Sequence, residues 1–449
     1  MNQHLLSSAM LGAFLSLASY STFAKLDPAE VARLGQDLTP VGAEKAGNAS
    51  GTIPAWTGGL TTPPTGFDPA TGYIDPFANE QPLYTITQAN MAQYADQLTA
   101  GYEAMLAKYP SYKMNIYPSH RTAALPAEEY AQIVKEATSV ELAESGNGML
   151  HYERTTVPFP IPKQGLEVLY NHVVRYRAGG YTVYPTEMVV QANGSFTPVR
   201  REQTLVMASA LGNPEPNRLS YALGKVISPE SVAGNRNLIH EPLDQTEEPR
   251  LAWTYNPGQR RVLRAPELSY DAPTGTSDGL RTMDQYDMYF GAPNKYEWKL
   301  IGKQEMLVSY NNYKLADRSL KYEDIIQPNH LNQDLVRYEL HRVWVIEATL
   351  KPGERHMYAR RVFYIDEDSW NILAADLYDG RGELWRTQEA HSMQRYDVLT
   401  SIHTSEAHYD LQANRYLIFG LDNEEKIATF GATAELRDFR PAALRRSGR

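Results

Sequence analysis

The sequence predicts an α+β, β-rich fold: a large curved antiparallel sheet covered by helices, with an extended N-terminal segment. Three observations predict it. Between residues 341 and 390, alternating apolar runs of similar length are separated by the short polar turns Lys-Pro-Gly-Glu, Asp-Glu-Asp-Ser and Asp-Gly-Arg-Gly, the pattern of hairpin-linked strands. Helical spacing is concentrated before Gly179-Gly180, and after that pair the apolar period becomes alternating. The composition agrees: 28 prolines and 30 glycines imply many turns, and 30 tyrosines against 11 phenylalanines and 6 tryptophans suit strands that pair an apolar ring with a wet edge.

Taken in order, residues 1–24 read as a secretory leader. Leu5 to Leu17 is apolar but too short to span a bilayer, and Thr22-Phe23-Ala24 supplies a cleavage site after Ala24. Residues 25–82 form an extended Gly/Pro-rich segment. It opens with a short helix, Asp27 as N-cap and Pro28 in first position, and Trp56 is its main large anchor. Residues 83–178 are expected to be helical cover. Met91, Tyr94, Leu98, Tyr102, Met105 and Leu106 recur at helical spacing from Thr87 until Pro110, a second helix follows over Ala127 to about Val140, and a third over Gly165 to Arg177. In the third, Leu166, Leu169 and Val173 share a face. His172 and Arg175 point elsewhere, and His172 reads as solvated or hydrogen-bonded.

Residues 179–449 are the expected sheet body. Tyr181–Gln191 and Ser195–Ser209 flank Asn193-Gly194, a hairpin signal, and further strands are expected near 222–228, 237–241, 250–255 and 260–264. In the meander, Trp344, Ile346, Ala348 and Leu350 are expected to share a face with Phe363, Ile365, Leu373, Ala375 and Leu377, leaving Arg360, Val362, Tyr364 and Tyr378 opposite. A last strand is expected around Arg415–Phe419, and the end from Arg445 is expected to fray.

The composition excludes several chemistries. A net charge of −10 leaves no general basic field for nucleic acid, and the absence of cysteine excludes disulfides, thiolate catalysis and a lipidated N-terminal cysteine. Neither a nucleophile elbow, a phosphate loop, a dinucleotide fingerprint nor a His-Glu-x-x-His helix is present, so no enzyme and no cofactor is expected. Asp271, Asp278, Asp284 and Asp287 lack the spacing of a calcium loop and read as loop caps. Asp366-Glu367-Asp368 reads as a solvated turn, and His341 and His356 as surface histidines, so no metal is expected. Arg360, Arg361, Arg381 and Arg386 would either grip an anionic head group or pair with acids on the outer sheet surface.

Several blocks carry a family resemblance: LTPVGAEKAGN with GTIPAWTGG, APELSYD with SDGLRT, YEWKLIGKQEM, YELHRVWVIEATLKPGERH, and RRVFYIDEDSW with LYDGRGELWR. They resemble the DUF1329 family of exported bacterial proteins, which is similar to outer-membrane lipoprotein-sorting proteins. The hairpin pattern, with WTYNPGQRRVL, is similar to periplasmic carriers of the LolA and LolB type, whose half-barrel sheet wraps helices and an apolar cavity. The resemblance implies a periplasmic carrier or chaperone for a lipid, an acylated protein or another hydrophobic molecule, with an envelope transporter or outer-membrane protein as partner. An accessory protein of an export or efflux machine is the alternative, and an unrecognised hydrolase the third. For a carrier, strand alternation assigns the apolar pocket to Trp253, Tyr255, Trp298, Trp344, Ile346 and Phe363. The same residues are ordinary core if the sheet packs tightly on its helices.

Overall fold

The computed structural model describes residues 26–211, 215–245, 247–265, 270–432 and 434–446; the predicted leader and the last three residues lie outside them. Asp27 caps α1 (Pro28–Val31) as expected: its carboxylate accepts from the Ala29 N–H at 2.8 Å while Glu30 reaches back to the Asp27 N–H at 3.0 Å. From there to residue 82 the chain makes only isolated bridges and lies across other elements. Side-chain donors hold it by its carbonyls. Trp370 Nε1 donates to Val41 O at 3.2 Å, and Arg342 Nη2 donates to Glu44 O at 3.0 Å and Ala46 O at 2.8 Å. Trp56 in turn donates to Ala123 O at 3.2 Å.

After β1 (Tyr84–Ile86), the helix expected from Thr87 to Pro110 is two pieces, a 3₁₀ turn over Met91–Gln97 and α2 (Ala100–Lys108). Thr99 divides them. Its backbone is extended and its hydroxyl accepts from the Tyr102 N–H at 3.1 Å, so the residue begins a helix instead of continuing one. Next come β2 (Met114–Ile116), α3 (Ala127–Glu136), the pair β3 (Glu141–Leu142) and β4 (Met149–Leu150), and α4 (Gly165–Val174). α4 ends three residues before the expected Arg177. Arg175 and Arg177 turn back, each with an Nη1 2.9 Å from one of its final carbonyls, His172 O and Val173 O.

The remaining strands are β5 (Gly180–Val183), β6 (Thr186–Val190), β7 (Val199–Met207), β8 (Ser220–Ser228), β9 (Arg236–Glu241), β10 (Leu251–Asn256), β11 (Arg261–Arg264), β12 (Tyr296–Ser309), β13 (Tyr338–Leu350), β14 (Arg360–Asp366), β15 (Ile372–Tyr378), β16 (Leu384–Arg395), β17 (Thr400–Asp410), β18 (Arg415–Phe419) and β19 (Thr429–Phe430). They run in the order β11-β10-β9-β8-β7-β6-β18-β17-β16-β15-β14-β13-β12, antiparallel throughout. β5 adds to β7 and β19 to β5, and the β1-β2 pair joins β13 through one parallel pair, Tyr338 with Ile116, giving 17 strands. Among the described residues β11 and β12 do not pair with each other, so the sheet stays open. The expected hairpin around Asn193-Gly194 is in part a seam between its halves, since β6 pairs with β7 on one side and β18 on the other.

The meander β13 to β16 matches its predicted strands, except that β14 begins at Arg360 where a strand from His356 was expected, and both faces are covered. α2 packs on one face, over β15 and β16, where its Tyr102, Met105 and Leu106 share a core cluster with Val343, Val345 and Tyr364. α4 packs on the other, with Val168 and Leu169 against Ile346, Phe363 and Ile365. Leu373 departs from the expected face: the register slips between Tyr364/Ala374 and Ile365/Ile372, and this bulge sends Leu373 to the α2 side. Asp366-Glu367-Asp368 is also not solvated. The N-terminal segment covers the turn, Arg121 grips Asp368 at 2.8 and 2.7 Å, and Arg342 and Lys303 meet Glu367 at 2.7 and 2.8 Å. His341 is buried too, stacked on Tyr310 at 3.8 Å and bonded to Glu339 at 3.0 Å. Toward the C-terminus the chain forms a short helix, α6 (Pro441–Arg446), like α5 (Tyr322–Ile325), with Phe439 and Leu444 buried against Val206, Tyr221 and Leu238 behind β7, β8 and β9; the last three residues of the end expected to fray lie outside the described residues.

Candidate functional site

Behind the solid meander, the sheet half formed by β7 to β10 bounds a cavity of about 580 Å³, closed on the opposite side by β17, β18 and the 270–290 loop. Cross-strand register explains its floor. Leu205, Ala222 and Ile239 are direct partners and make one apolar rung, and Gln203, Gly224, Asn237 and Thr254 make the next, polar one. A Cβ on Gly224 would lie 2.3 Å from Asn237 Oδ1, so glycine is what lets the Asn237 amide lie flat on the floor. Met283, Tyr286, Phe290 and Phe419 add apolar surface from the facing side.

The loop is pinned over the cavity by ion pairs, buried at Asp284 and more exposed at Asp271 and Asp278, and here the aspartates expected to cap loops are corrected. Asp284 takes Arg361 at 2.7 Å with His356 at 3.3 Å, Asp287 takes Arg175 and Arg177, Asp271 takes Lys295 at 2.7 Å, and Asp278 takes Arg415. His356 and Arg361 are therefore interior groups, where a surface histidine and an outer-face arginine were the expectations. Glu187, fully buried in β6, receives Arg281 at 3.1 Å and the Thr276 hydroxyl at 2.8 Å from the same loop. No local spacing reveals these pairs, because each partner lies far away in the chain.

The polar end of the cavity gathers Arg175, Arg177, Asp287, His403 and Glu406. Asp287 and Met288 both have positive φ, 53° and 64°, which turns the Asp287 carboxylate back toward α4. His172, fully buried, latches this turn. Its Nε2 donates to Asp287 O at 2.8 Å and its Nδ1 accepts from the Ile372 N–H at 3.2 Å, the bonding pattern of a neutral imidazole. Burial and the Arg175 charge both push its pKa well below the ordinary value. For Asp287 burial works the other way, yet Arg175 and Arg177 overcome it and hold the carboxyl well below the usual range.

β17 needs an irregularity to place the other two groups. His403 and Glu406 are three positions apart, so strict alternation would send them to opposite faces. The register slips at Thr404, with His391 opposite Ser405 but Ser392 opposite His403, and this bulge brings both side chains to the same face. Burial would raise the Glu406 carboxyl, but the facing His403 and His408 imidazoles hold it at about 2. One ligand atom from each of Asp287, His403 and Glu406 lies within 4.8 Å of the others, a grouping able to hold an ion. A second trio, His341, Asp366 and Asp368, is sealed under the N-terminal segment and occupied by Tyr310 and Arg121.

Of the six residues assigned to a pocket from alternation, Tyr255 borders this cavity and also belongs to the α6-side cluster. Trp253 lies on that α6 side, 4.9 Å from the His240 ring. Trp298, Trp344, Ile346 and Phe363 come together under α4: Trp298 stacks on Phe363 at 5.8 Å and Trp344 on Trp370 at 6.3 Å. Sequence reasoning missed Arg177, His403 and Glu406. The one sequence signal near them is Asp287, which reads from the sequence as a loop cap.

Residues 85–445 match the family described as protein of unknown function DUF1329. An uncharacterized protein of Pseudomonas aeruginosa is 50% identical over 440 residues, covering 97% of this chain and 96% of its own. Among solved structures, a domain described as outer-membrane lipoprotein-sorting from Vibrio parahaemolyticus is similar at 17% identity with a TM-score of 0.43, covering 63% of this chain and 98% of its own. A LolA superfamily protein from Nitrosomonas europaea is similar at 12% identity with a TM-score of 0.37, covering 62% and 98%. With four fifths of its length under the family match and a half-identical relative along nearly all of it, the chain belongs to the DUF1329 family.

Proposed function

We propose that this protein is a non-catalytic carrier of the bacterial periplasm that holds an amphiphilic molecule, with an acyl or similar apolar part, in the cavity between β7–β10 and the 270–290 loop. The observation that carries the reading is the cavity itself: about 580 Å³, within the range of about 300–1,000 Å³ of small-molecule sites, with an apolar rung, a polar rung and one charged end. Each methylene placed on the Leu205, Ala222 and Ile239 rung would contribute about 0.8 kcal/mol, so a chain of modest length supplies affinity without covalent chemistry. The charged end orients the other terminus of the guest. No described helix is long and apolar enough to cross a membrane, which fits a carrier that works between membranes.

Capture of a fluorescent fatty-acyl probe by the full chain tests this. Ala222→Trp fills the cavity from its floor and should abolish capture with little change in melting temperature, while Phe363→Ala, away from the cavity, should lower melting temperature and leave capture by the folded fraction intact. No capture by the natural sequence, or undiminished capture by Ala222→Trp, would overturn the proposal.

A further inference from the structure

His403 is the least satisfied polar side chain at the cavity. Its side chain is 5% exposed, yet among the described residues neither ring nitrogen makes a hydrogen bond. Buried imidazole nitrogens are normally paired, because leaving one without a partner forfeits its hydration. Two carboxylates face it without bonding it well. Nδ1 stands 3.5 Å from Asp287 Oδ1 and 3.6 Å from Glu406 Oε1, longer than the roughly 2.9 Å of a good N–H···O bond.

Those separations have another meaning. Two ligand atoms each about 2.1 Å from one tetrahedral ion stand about 3.4 Å apart, so both measured edges accommodate a single cation between the three groups. We propose that Asp287, His403 and Glu406 form a three-ligand site for a divalent transition-metal ion of the zinc class, with the fourth coordination position facing the cavity that all three line.

The surroundings orient the ligands as outer-shell groups do. Arg175 and Arg177 fix the Asp287 carboxylate: Oδ2 accepts from Arg175 Nη1 at 2.8 Å and Arg177 Nη2 at 2.6 Å, and Oδ1, the atom facing His403, also accepts from Arg175 Nη2 and keeps its other lone pair for the ion, while Glu406 Oε2 receives the Met288 N–H at 3.4 Å and faces His408 Nε2 at 3.6 Å. These neighbours also select the ion. Two carboxylates, already offset by the two guanidiniums, fall short of the roughly six to eight oxygen ligands that calcium takes, and an imidazole nitrogen favours zinc, cobalt, nickel or copper over magnesium. The inference stands on this geometry and is independent of the amphiphile reading.

The test is titration of the chelator-stripped full chain with Zn²⁺ by calorimetry and with Co²⁺ by visible absorption. One equivalent should bind, cobalt should give the intense band of tetrahedral coordination, and Mg²⁺ or Ca²⁺ in excess should not displace it. Glu406→Gln and His403→Asn should each weaken binding by about tenfold or more and remove the cobalt band, while His151→Gln, which removes an exposed imidazole outside the cluster, should change neither. Circular dichroism establishes that each variant is folded, and should one variant unfold, the other decides. Absence of stoichiometric binding, or binding and band retained in a folded Glu406→Gln or His403→Asn, would overturn the proposal.

Discussion

The two halves of the sheet use the same antiparallel geometry for opposite ends. In the meander, β14 to β16 are buried along most of their length, with α2 on one face and α4 on the other. In the β7–β10 half, α6 covers one face only, and β7 is half-exposed from Val199 to Leu205. The loop that spans its inner face does so through ion pairs at its margins, leaving the middle empty. A sheet face becomes core when a helix supplies side chains to fill it, and a cavity when a loop merely bridges it.

The largest expected effect that sharpens this contrast is in the solid half. Phe363→Ala, at a fully buried position between Trp298 and Tyr289, should cost about 3–5 kcal/mol in chemical denaturation. A loss near zero would mean that the meander is as loosely filled as the other half.

A smaller effect concerns pH. Burial pushes the Asp376 carboxyl up to about 6, against hydrogen bonds from Tyr364 Oη at 3.0 Å and the Gly101 N–H at 2.9 Å. Between about 4 and about 6 the native state keeps a proton that the unfolded chain has lost, so this group's contribution to stability falls as pH rises through that window and is fully lost above it. Asp376→Asn should therefore gain stability relative to the natural sequence as pH rises from about 4 to 7, by roughly 2 kcal/mol. Urea denaturation at several pH values measures the difference; a constant offset would refute it.

On the cavity floor, Ile239→Ala removes a half-buried side chain that faces empty space, and should cost only roughly 1 kcal/mol while weakening acyl-probe capture. A loss as large as that of Phe363→Ala would show the cavity to be closed in solution. The smallest effect belongs to the outer edge: Leu263→Ser on β11, 51% exposed, should stay within about 0.5 kcal/mol in the same assay.

Local chemistry in the sequence determined the strands. Polar turns of four residues permit only antiparallel return, so β13 to β16 were legible, as were the Asp27 cap and the family blocks. What lies against those strands was not legible. Alternation placed Ile346 and Phe363 on one face correctly, but whether that face meets a helix or a void depends on α4, about 180 residues earlier. The tertiary structure alone decided the charged interior. Asp287 finds Arg175 and Arg177 more than a hundred residues away, and the Asp366-Glu367-Asp368 turn loses its water only because the N-terminal segment folds over it with Arg121 and Arg342 beneath. The same holds at the proposed site, where a one-residue bulge at Thr404 reverses the phase of β17. Bulges carry no residue signature strong enough to read from one chain, yet each exchanges the two faces of everything beyond it, and this one sets His403 beside Glu406.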